Sequence, residues 1–234
     1  MTGDEFIGLA GKLAIGAASG EAAFRSATSR AYYGAYHLAV SLLADLGYPL
    51  PANANGQKVF LQFDGMRQAG RFYLNGKEIG LHEDGITAAG FDITNFVNFG
   101  GKDNVLAVKV DNSTTYKEEA TQTAFEWNAK DFNPNFGGLN RDAFLIVTGK
   151  VYQTLPLYNN LKTTGVYIYP DNIDVKKKTA TIKVEAQVSN EEVGDYASIT
   201  LSAVVVDADG VVRAKLDGNT TDLISGQMET MTAE

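Results

Sequence analysis

The 234-residue chain contains no cysteine and only two histidines. The absence of cysteine excludes disulfide bonds, thiolate zinc sites and cysteine nucleophiles, and it agrees with a reducing compartment. The histidines, His37 and His82, are far apart in the sequence and neither belongs to a cluster with metal-ligand spacing. No glycine-rich phosphate loop precedes a helix. The sequence therefore predicts no metal and no cofactor.

Long hydrophobic runs and an excess of basic residues are also missing. No run approaches the ~20 apolar residues that a membrane span requires, and the N-terminus begins acidic where a secretory signal begins basic. We therefore expect a cytoplasmic protein without membrane contact. The 20 Lys and Arg residues against 28 Asp and Glu give a net charge of −8. A chain of this charge repels polyanions, so nucleic-acid binding is not expected.

The hydrophobic periodicity changes near residues 51–56, which divides the chain into two parts. Before this point, Asp4–Ile15 and Glu21–Leu46 carry apolar residues at helical spacing, separated by a glycine-containing break. Gly47 is suited to cap the second helix, and prolines follow it. Residues 1–52 are therefore predicted to form an α-helical hairpin. Such a hairpin cannot bury its apolar stripe alone.

The second predicted helix contains Arg30 and His37, with six residues between them. With Ser29–His37 and its flanks, residues 4–55 resemble the first half of the HEPN family of small helical bundles, whose signature is an arginine followed closely by a histidine. The resemblance implies RNA cleavage, with His37 as general acid or base and Arg30 stabilising phosphate charge. The two side chains share one helical face because they are about two turns apart. The alternative is a structural polar stripe without catalysis.

After Gly56 the pattern alternates every two residues, which predicts β-strands. Lys58–Asp64 places Val59, Leu61 and Phe63 on one face. Arg71–Gly80 is predicted to be a hairpin, because the pair Asn75-Gly76 suits a type I′ turn. Two further strands are predicted at Val105–Val110 and Ala143–Val147. Frequent turn residues between these segments are typical of a β-sandwich.

Five phrases occur in a specific order in this region: Lys58–Gly65, Phe72–Gly80, Phe91–Thr94, Asn104–Asn112 and Phe136–Asp142. Together they resemble the N-terminal sugar-binding jelly roll of family 2 glycoside hydrolases, the β-galactosidase, β-glucuronidase and β-mannosidase enzymes. The resemblance covers residues 57–158, and the helical hairpin stands where the family has its first strands. It departs from the family pattern at Asp84–Gly90, which lacks the bulky packing groups usual in that loop.

Residues 159–234 form a second β region. Thr179–Ser189 alternates strictly, with five apolar residues predicted to point inward: Ala180, Ile182, Val184, Ala186 and Val188. Ser198–Val206 continues the pattern, and Asp207–Gly210 is predicted to turn the chain back. The region resembles the immunoglobulin-like module that follows the jelly roll in the same enzymes. At least one more strand is expected beyond residue 234, so we predict a truncated sandwich with an open edge. The predicted fold class is mainly β with an N-terminal α-helical hairpin: a jelly-roll β-sandwich followed by a truncated immunoglobulin-like β-sandwich.

Enzymes of family 2 retain anomeric configuration by means of two carboxylates about 5 Å apart on a (β/α)₈ barrel. Such a barrel requires about 250 residues of its own, and no part of this sequence alternates strands with helices. The resemblance therefore implies a lineage of glycoside hydrolases but a chain without the catalytic domain. The pair Asn190-Glu191 is similar to the pair that carries the family's acid/base, but it lies between a strand and a polar connection. We interpret it as a solvated turn.

The resemblance implies a carbohydrate contact in the segment Glu126–Phe136, because a loop of the jelly roll reaches the active site in some members. Asp131, Asn133 and Asn135 are candidates for hydrogen bonds with sugar hydroxyls, and Trp127 is a candidate for stacking on a pyranose ring. The alternative is a structural loop whose Asn and Pro residues set turn geometry. Arg141 is interpreted as a structural ion-pair partner.

Three hypotheses follow. The first is a non-catalytic, carbohydrate-binding and scaffolding portion of a family 2 glycoside hydrolase. The second is a HEPN-type RNA-binding, RNase-like or toxin-like protein that acts through Arg30 and His37. The third is an inactive chimera. Open sheet edges and the helical hairpin also predict self-association, which a compact monomer in sedimentation would contradict.

Overall fold

A computed structural model describes residues 56–113, 115–124, 137–194 and 196–234. The predicted helical hairpin at residues 1–52 lies outside them. The described chain is mostly β-structure, as predicted, with one short helix, α1 (Tyr158–Leu161). None of the described helices is long and apolar enough to cross a membrane.

The first eight strands pair antiparallel and form a two-layered first sandwich. They are β1 (Gln57–Phe63), β2 (Met66–Arg67), β3 (Ala69–Leu74), β4 (Lys77–Glu83), β5 (Ala89–Asp92), β6 (Leu106–Asp111), β7 (Gly138–Leu139) and β8 (Ala143–Gly149). One sheet has the order β5-β1-β8 and the other has the order β4-β3-β6, while β2 pairs with β7. The two three-stranded sheets face each other across one apolar core.

The core of the first sandwich confirms the alternation predicted for β1. Val59, Leu61 and Phe63 are all buried and belong to one hydrophobic cluster. The Phe72 ring of β3 lies between those of Phe63 and Phe91, with ring centroids 4.9 and 4.6 Å apart and tilted planes. Tilted aromatic pairs of this kind add stabilisation to area burial. The two sheets are therefore joined by an aromatic stack.

The β3–β4 hairpin has the predicted type I′ turn. Asn75 and Gly76 have φ values of 52° and 77°, and both positive values are required at the centre of such a turn. Asn75 also fixes two neighbouring segments, because its Nδ2 donates to Phe96 O at 2.9 Å and its Oδ1 accepts from Val105 N at 2.9 Å. The asparagine therefore shapes the turn and connects it to the start of β6.

The second sandwich contains the remaining six strands. They are β9 (Val151–Gln153), β10 (Val166–Asp174), β11 (Thr179–Asn190), β12 (Ala197–Val206), β13 (Val212–Leu223) and β14 (Met228–Ala233). One sheet has the order β10-β11-β14, and β9 also pairs with β11. The other sheet is the β12–β13 hairpin. The two sheets pack through a cluster of Val188, Leu223 and Met231.

The strand β11 differs from the sequence prediction at its first residues. Val184, Ala186 and Val188 are buried as predicted, and Ile182 is half-buried, but Ala180 is exposed. The cause is the length of the β10–β11 hairpin. Pairing with β14 begins only at Val184, so within the described chain the first five residues of β11 have β10 as their strand partner and no other. Strict alternation therefore predicts the face of each side chain but not how far the core extends.

The turn predicted at Asp207–Gly210 is present. Asp207 Oδ1 accepts from the backbone N–H groups of Asp209 and Val211 at 3.0 and 2.9 Å. Its other carboxylate oxygen accepts from Arg213 Nε at 2.6 Å. These hydrogen bonds lower the pKa of Asp207, the one from Val211 N first among them. Such Asx geometry is the reason that aspartate is favoured in tight turns.

Candidate carbohydrate site and the joint between the sandwiches

The four residues predicted to contact a sugar lie outside the described residues, as do Arg30 and His37. They are Trp127, Asp131, Asn133 and Asn135. The structure instead describes both ends of the segment that contains them, at Ala124 and Gly137. These ends determine where residues 125–136 leave and rejoin the first sandwich.

The first end of this segment is held on the β3–β4 hairpin. Glu83 of β4 accepts hydrogen bonds from the Tyr116 hydroxyl and, at 2.8 Å, from the backbone N–H of Glu119. Arg71 of β3 pairs with Glu119 and with Glu78. Burial, followed by the hydrogen bond with Glu83, raises the pKa of Tyr116 above its usual range. Tyr116 therefore remains a protonated donor at all ordinary pH values.

The second end is held through two adjacent glycines. Gly138 has a φ of 111° and pairs with Arg67, so it requires a backbone conformation that favours glycine. A Cβ at Gly137 would lie 2.3 Å from Asn112 Cγ, so this residue also has no room for a side chain. Nearby, the aliphatic part of Arg141 lies against Gly65, 2.9 Å from where a Cβ would be. The predicted ion pair of Arg141 stays a prediction.

A second polar cluster joins the two sandwiches around Lys58. The Lys58 side chain is 13% exposed, and its Nζ donates to Asp92 of β5 and, at 2.7 Å, to Glu191 Oε2. The Tyr152 hydroxyl of β9 donates to Glu191 Oε1 at 2.6 Å. The Tyr152 ring packs on Phe60 with centroids 5.3 Å apart. Phe60 points away from the core of the first sandwich but is buried by this contact.

The charges in this cluster stabilise each other. Burial lowers the pKa of Lys58, but the hydrogen bonds with Asp92 and Glu191 outweigh it and raise the pKa above its usual value. Burial tends to raise the pKa of Asp92, yet the hydrogen bonds from Lys58 and Thr94 lower it overall. Asp92 is therefore ionised near neutral pH. Lys58 binds Asp92 of the first sandwich and Glu191 of the second, so the cluster joins the two sandwiches through charge-assisted hydrogen bonds.

The interpretation of Asn190-Glu191 as a solvated turn is wrong for Asn190, which is buried at the end of a strand. Asn190 is fully buried, its Nδ2 donates to Leu223 O at 2.7 Å, and its Oδ1 accepts from Glu192 N at 2.9 Å. Asn190 is the last residue of β11 and lies inside the second sandwich, whereas Glu191 follows the strand, is 37% exposed in its side chain and contacts Lys58 of the first sandwich. A buried amide must satisfy its hydrogen bonds internally, and Asn190 does so through the end of β13.

The linker at residues 154–165 is attached to the second sandwich through Gln187 of β11. The backbone of Gln187 accepts from Thr154 N and donates to Gly165 O, both at 2.8 Å. Its side-chain Oε1 accepts from Thr154 Oγ1 and Thr164 N, both at 2.9 Å. Thr154 Oγ1 in turn accepts from Gly165 N at 3.1 Å. One glutamine therefore closes both ends of the linker.

The same linker is attached to the first sandwich next to the loop at residues 84–90. The buried Leu157 side chain lies against Gly90, where a Cβ would be 2.1 Å from Leu157 Cδ1. Asn160 Oδ1 accepts from Gly90 N at 3.3 Å, and Asn159 Nδ2 donates to Thr87 Oγ1 at 2.7 Å. Leu157 therefore packs against the loop at residues 84–90, which lacks the bulky side chains usual at this place in family 2 glycoside hydrolases.

His82 is buried beside this contact. Burial lowers its pKa, although Asp84 and hydrogen bonds with Thr87 and Asn160 act in the opposite direction. The imidazole is therefore neutral at neutral pH. Within the described residues, no group of three or more His, Cys, Asp and Glu side chains is arranged to hold a metal ion.

Two antiparallel sandwiches in series, joined through a linker that forms hydrogen bonds with both, define the described chain as a β-sandwich protein of two modules. Residues 45–149 match the family model described as glycosyl hydrolases family 2, sugar binding domain, and this stretch of the chain belongs to that family.

Curated relatives agree with this assignment. The chain is 37% identical over 187 residues to a β-glucuronidase of Formosa agariphila, covering 79% of this chain and 18% of the relative. It is 27% identical over 157 residues to a β-galactosidase of Thermoanaerobacter pseudethanolicus, covering 67% of this chain and 18% of that one. The chain therefore spans less than a fifth of the relatives that it matches.

Solved structures extend the likeness to the second sandwich. A β-glucuronidase from glycoside hydrolase family 2 superposes with a TM-score of 0.67 at 36% identity, covering 79% of this chain and 19% of that chain. A β-glucuronidase of Bacteroides uniformis gives a TM-score of 0.61 at 25% identity, covering 80% of this chain and 20% of that one. The chain therefore corresponds to a non-catalytic, N-terminal portion of such an enzyme.

The carbohydrate contact that the sequence predicts at Glu126–Phe136 stays a prediction, and sequence reasoning missed the joint between the sandwiches. Lys58 and Glu191 are 133 positions apart, and each occurs in an ordinary polar context. Tyr152, in a short strand before the linker, was the one sequence feature that could have pointed to this joint. A single tyrosine does not specify which residue it contacts.

Proposed function

We propose that this chain is the carbohydrate-recognising, non-catalytic scaffold of a glycoside hydrolase of the β-glucuronidase or β-galactosidase type, with bond cleavage performed by a separate catalytic barrel. The observation that carries the proposal is the match of residues 45–149 to a sugar-binding domain, together with relatives of both enzyme types. Its role is to bind and orient a sugar at the segment 125–136.

The finer fold assignment is part of this proposal. We infer that residues 57–158 form a jelly roll without its first strands and that residues 159–234 form a truncated immunoglobulin-like sandwich. Two observations support the inference: the facing sheets β5-β1-β8 and β4-β3-β6, and the separate core around Val188, Leu223 and Met231. The open strand β8 has half-exposed Phe144, Leu145 and Val147, which supports the expected self-association.

The fixed ends of the segment 125–136 are the physical basis for recognition. Binding costs less when a loop is already ordered, because less conformational entropy is lost. Here Glu83 and Arg71 hold one end, and β2 with the glycine pair holds the other. The described residues at Ala124 and Gly137 therefore give the segment that contains Trp127 and Asp131 two fixed points of attachment.

Trp127 is the only tryptophan in the chain, so its fluorescence reports directly on this segment. We expect a saturable fluorescence change on titration with methyl β-D-glucuronide or methyl β-D-galactoside. Asp131→Ala removes a charged hydrogen-bond acceptor, which is worth about 1.5–3 kcal/mol, so the dissociation constant should rise by about tenfold or more.

Asp209→Ala is the matched control, since Asp209 is exposed in a turn of the second sandwich. It should leave the titration unchanged. Equal weakening by Asp131→Ala and Asp209→Ala would contradict a site at 125–136. Release of nitrophenol from 4-nitrophenyl β-D-glucuronide by the purified chain would contradict the non-catalytic role.

A further inference from the structure

A polar groove of about 400 Å³ lies on the second sandwich, where strands β10, β11, β13 and β14 meet. Its polar lining consists of Tyr169, Lys183, Glu185, Asp217, Asn219, Thr232 and Glu234. The volume is within the range of small-molecule sites and accommodates one or two sugar rings. The groove lies on different strands from those that support residues 125–136.

Strand register explains why these side chains share one surface. Tyr167 pairs directly with Glu185, and Tyr169 pairs with Lys183. Glu185 also pairs with Thr232 of β14. Directly paired residues point to the same face of a sheet, and so do residues two apart on one strand. All five side chains therefore project from the same face.

The two tyrosines form an aromatic shelf at the edge of the groove. The ring centroids of Tyr167 and Tyr169 are 5.1 Å apart, with an interplanar angle of 32°. Tyr167 is 63% exposed, which is unusual for a large aromatic ring that is not part of a contact surface. The apolar face of a pyranose ring is suited to pack on such a surface, while its hydroxyls reach polar neighbours.

The polar groups of the groove are held in place by one another. The Tyr169 hydroxyl donates to Glu185 Oε1 at 2.9 Å, and Ser202 donates to Asp217 Oδ1 at 2.8 Å. Lys183 pairs with Asp171 at 2.8 Å. A carboxylate offers about four acceptor positions, so Glu185 and Asp217 keep capacity for further donors. Preorganised acceptors of this kind suit the hydroxyl groups of a saccharide.

The charge of the groove selects among possible ligands. Three carboxylates, those of Glu185, Asp217 and Glu234, face one ammonium group, that of Lys183. An anionic ligand such as a phosphate or a uronic acid is therefore repelled. These carboxylates are not arranged as a metal-binding group in the described chain. A neutral ligand rich in hydroxyl groups fits both the hydrogen-bonding groups of the groove and its negative electrostatic potential.

We propose that the tyrosine shelf and the adjoining groove form a second carbohydrate-binding site, selective for neutral saccharides over uronic acids. This site goes beyond the proposed function, because it uses the second sandwich and none of the residues at 125–136. It would hold a neutral part of a longer carbohydrate, at a distance from any sugar bound by Trp127 and Asp131.

The test is a titration of the whole chain with lactose, a neutral disaccharide, followed by the amide resonances of Tyr167 and Glu185 in nuclear magnetic resonance. We expect saturable shifts with lactose and none with methyl β-D-glucuronide. Tyr167→Ala should raise the dissociation constant for lactose by about tenfold, since an aromatic stacking contact is worth up to ~1.5 kcal/mol. Tyr167 is exposed, so this variant keeps the fold.

Tyr158→Ala is the matched control, because Tyr158 is an equally exposed tyrosine on α1. It should bind lactose as the unchanged chain does. The absence of saturable shifts at Tyr167 and Glu185, or equal binding by Tyr167→Ala and the unchanged chain, would overturn the proposal. Loss of these shifts in Asp131→Ala would assign the lactose to residues 125–136 instead, which overturns the second site and leaves the first.

Discussion

Replacing Phe72 by alanine should lower the free energy of unfolding of the first sandwich by about 3–5 kcal/mol. Phe72 is fully buried and contacts Phe63 of β1 and Phe91 of β5, so its ring spans the interface between the two sheets. Truncation removes both aromatic contacts and leaves a cavity that the rigid sheets cannot close. Unfolding in guanidinium, followed by the fluorescence of Trp127, measures the change.

Phe144→Ala makes the same chemical change at a phenylalanine that is 44% exposed on β8. Because much of that ring is already in water, its removal should cost less than about 1.5 kcal/mol. Similar losses in the two variants would mean that the facing of β1 and β3 across a shared core is wrong.

Gly165→Ala should also be strongly destabilising, by about 3 kcal/mol or more. The position has a φ of 67°, which costs an L-residue roughly 1–2 kcal/mol. A Cβ there would lie 2.6 Å from Pro156 N and 2.9 Å from Pro156 Cα, both backbone atoms. The collision adds to the conformational penalty, because relief requires movement of the linker that Thr154 and Gln187 hold. Thermal unfolding followed by circular dichroism measures the loss.

Gly210→Ala separates the two contributions. Gly210 has a φ of 79°, but a Cβ there would meet no atom within 4 Å. This variant should therefore show only the conformational cost of about 1–2 kcal/mol. If both glycine variants lose the same stability, then the close approach between Gly165 and Pro156 contributes nothing.

Local features of the fold could be predicted from the sequence because their causes are local. The pair Asn75-Gly76 specifies a type I′ turn by itself, and alternation along β1 specifies which face is buried. Asp207 likewise specifies its turn through hydrogen bonds to residues two and four positions later. The order of five family phrases then places these elements within one known architecture.

The joint and the groove could not be predicted, because their causes are not local. Lys58 meets Glu191 only after two sandwiches have folded and the linker has docked, and nothing in either sequence context specifies the other. Ala180 shows the same limit, since alternation predicts an inward face for it but the residue is exposed near the end of the β10–β11 hairpin. The pair Tyr167 and Tyr169 could not be singled out in the sequence. Alternation alone predicts that both side chains point outward, but it does not predict which residues of the next strand lie beside them.

The carbohydrate residues of the first sandwich remain predictions. Trp127, Asp131, Asn133 and Asn135 lie between the two described ends of their segment, so their support is the family resemblance and the anchoring of Ala124 and Gly137. The same holds for Arg30 and His37 in the predicted helical hairpin.

The pairing of β9 with β11 has a practical consequence for dissecting this protein. The boundary that the sequence indicates, at residue 158, would leave Val151–Gln153 on one fragment and its hydrogen-bonding partners Val188–Asn190 on the other. Each fragment would then expose backbone N–H and C=O groups that are paired in the intact chain. A cut upstream of Lys150 would keep β9 paired with β11, so a fragment that contains the second sandwich should begin there.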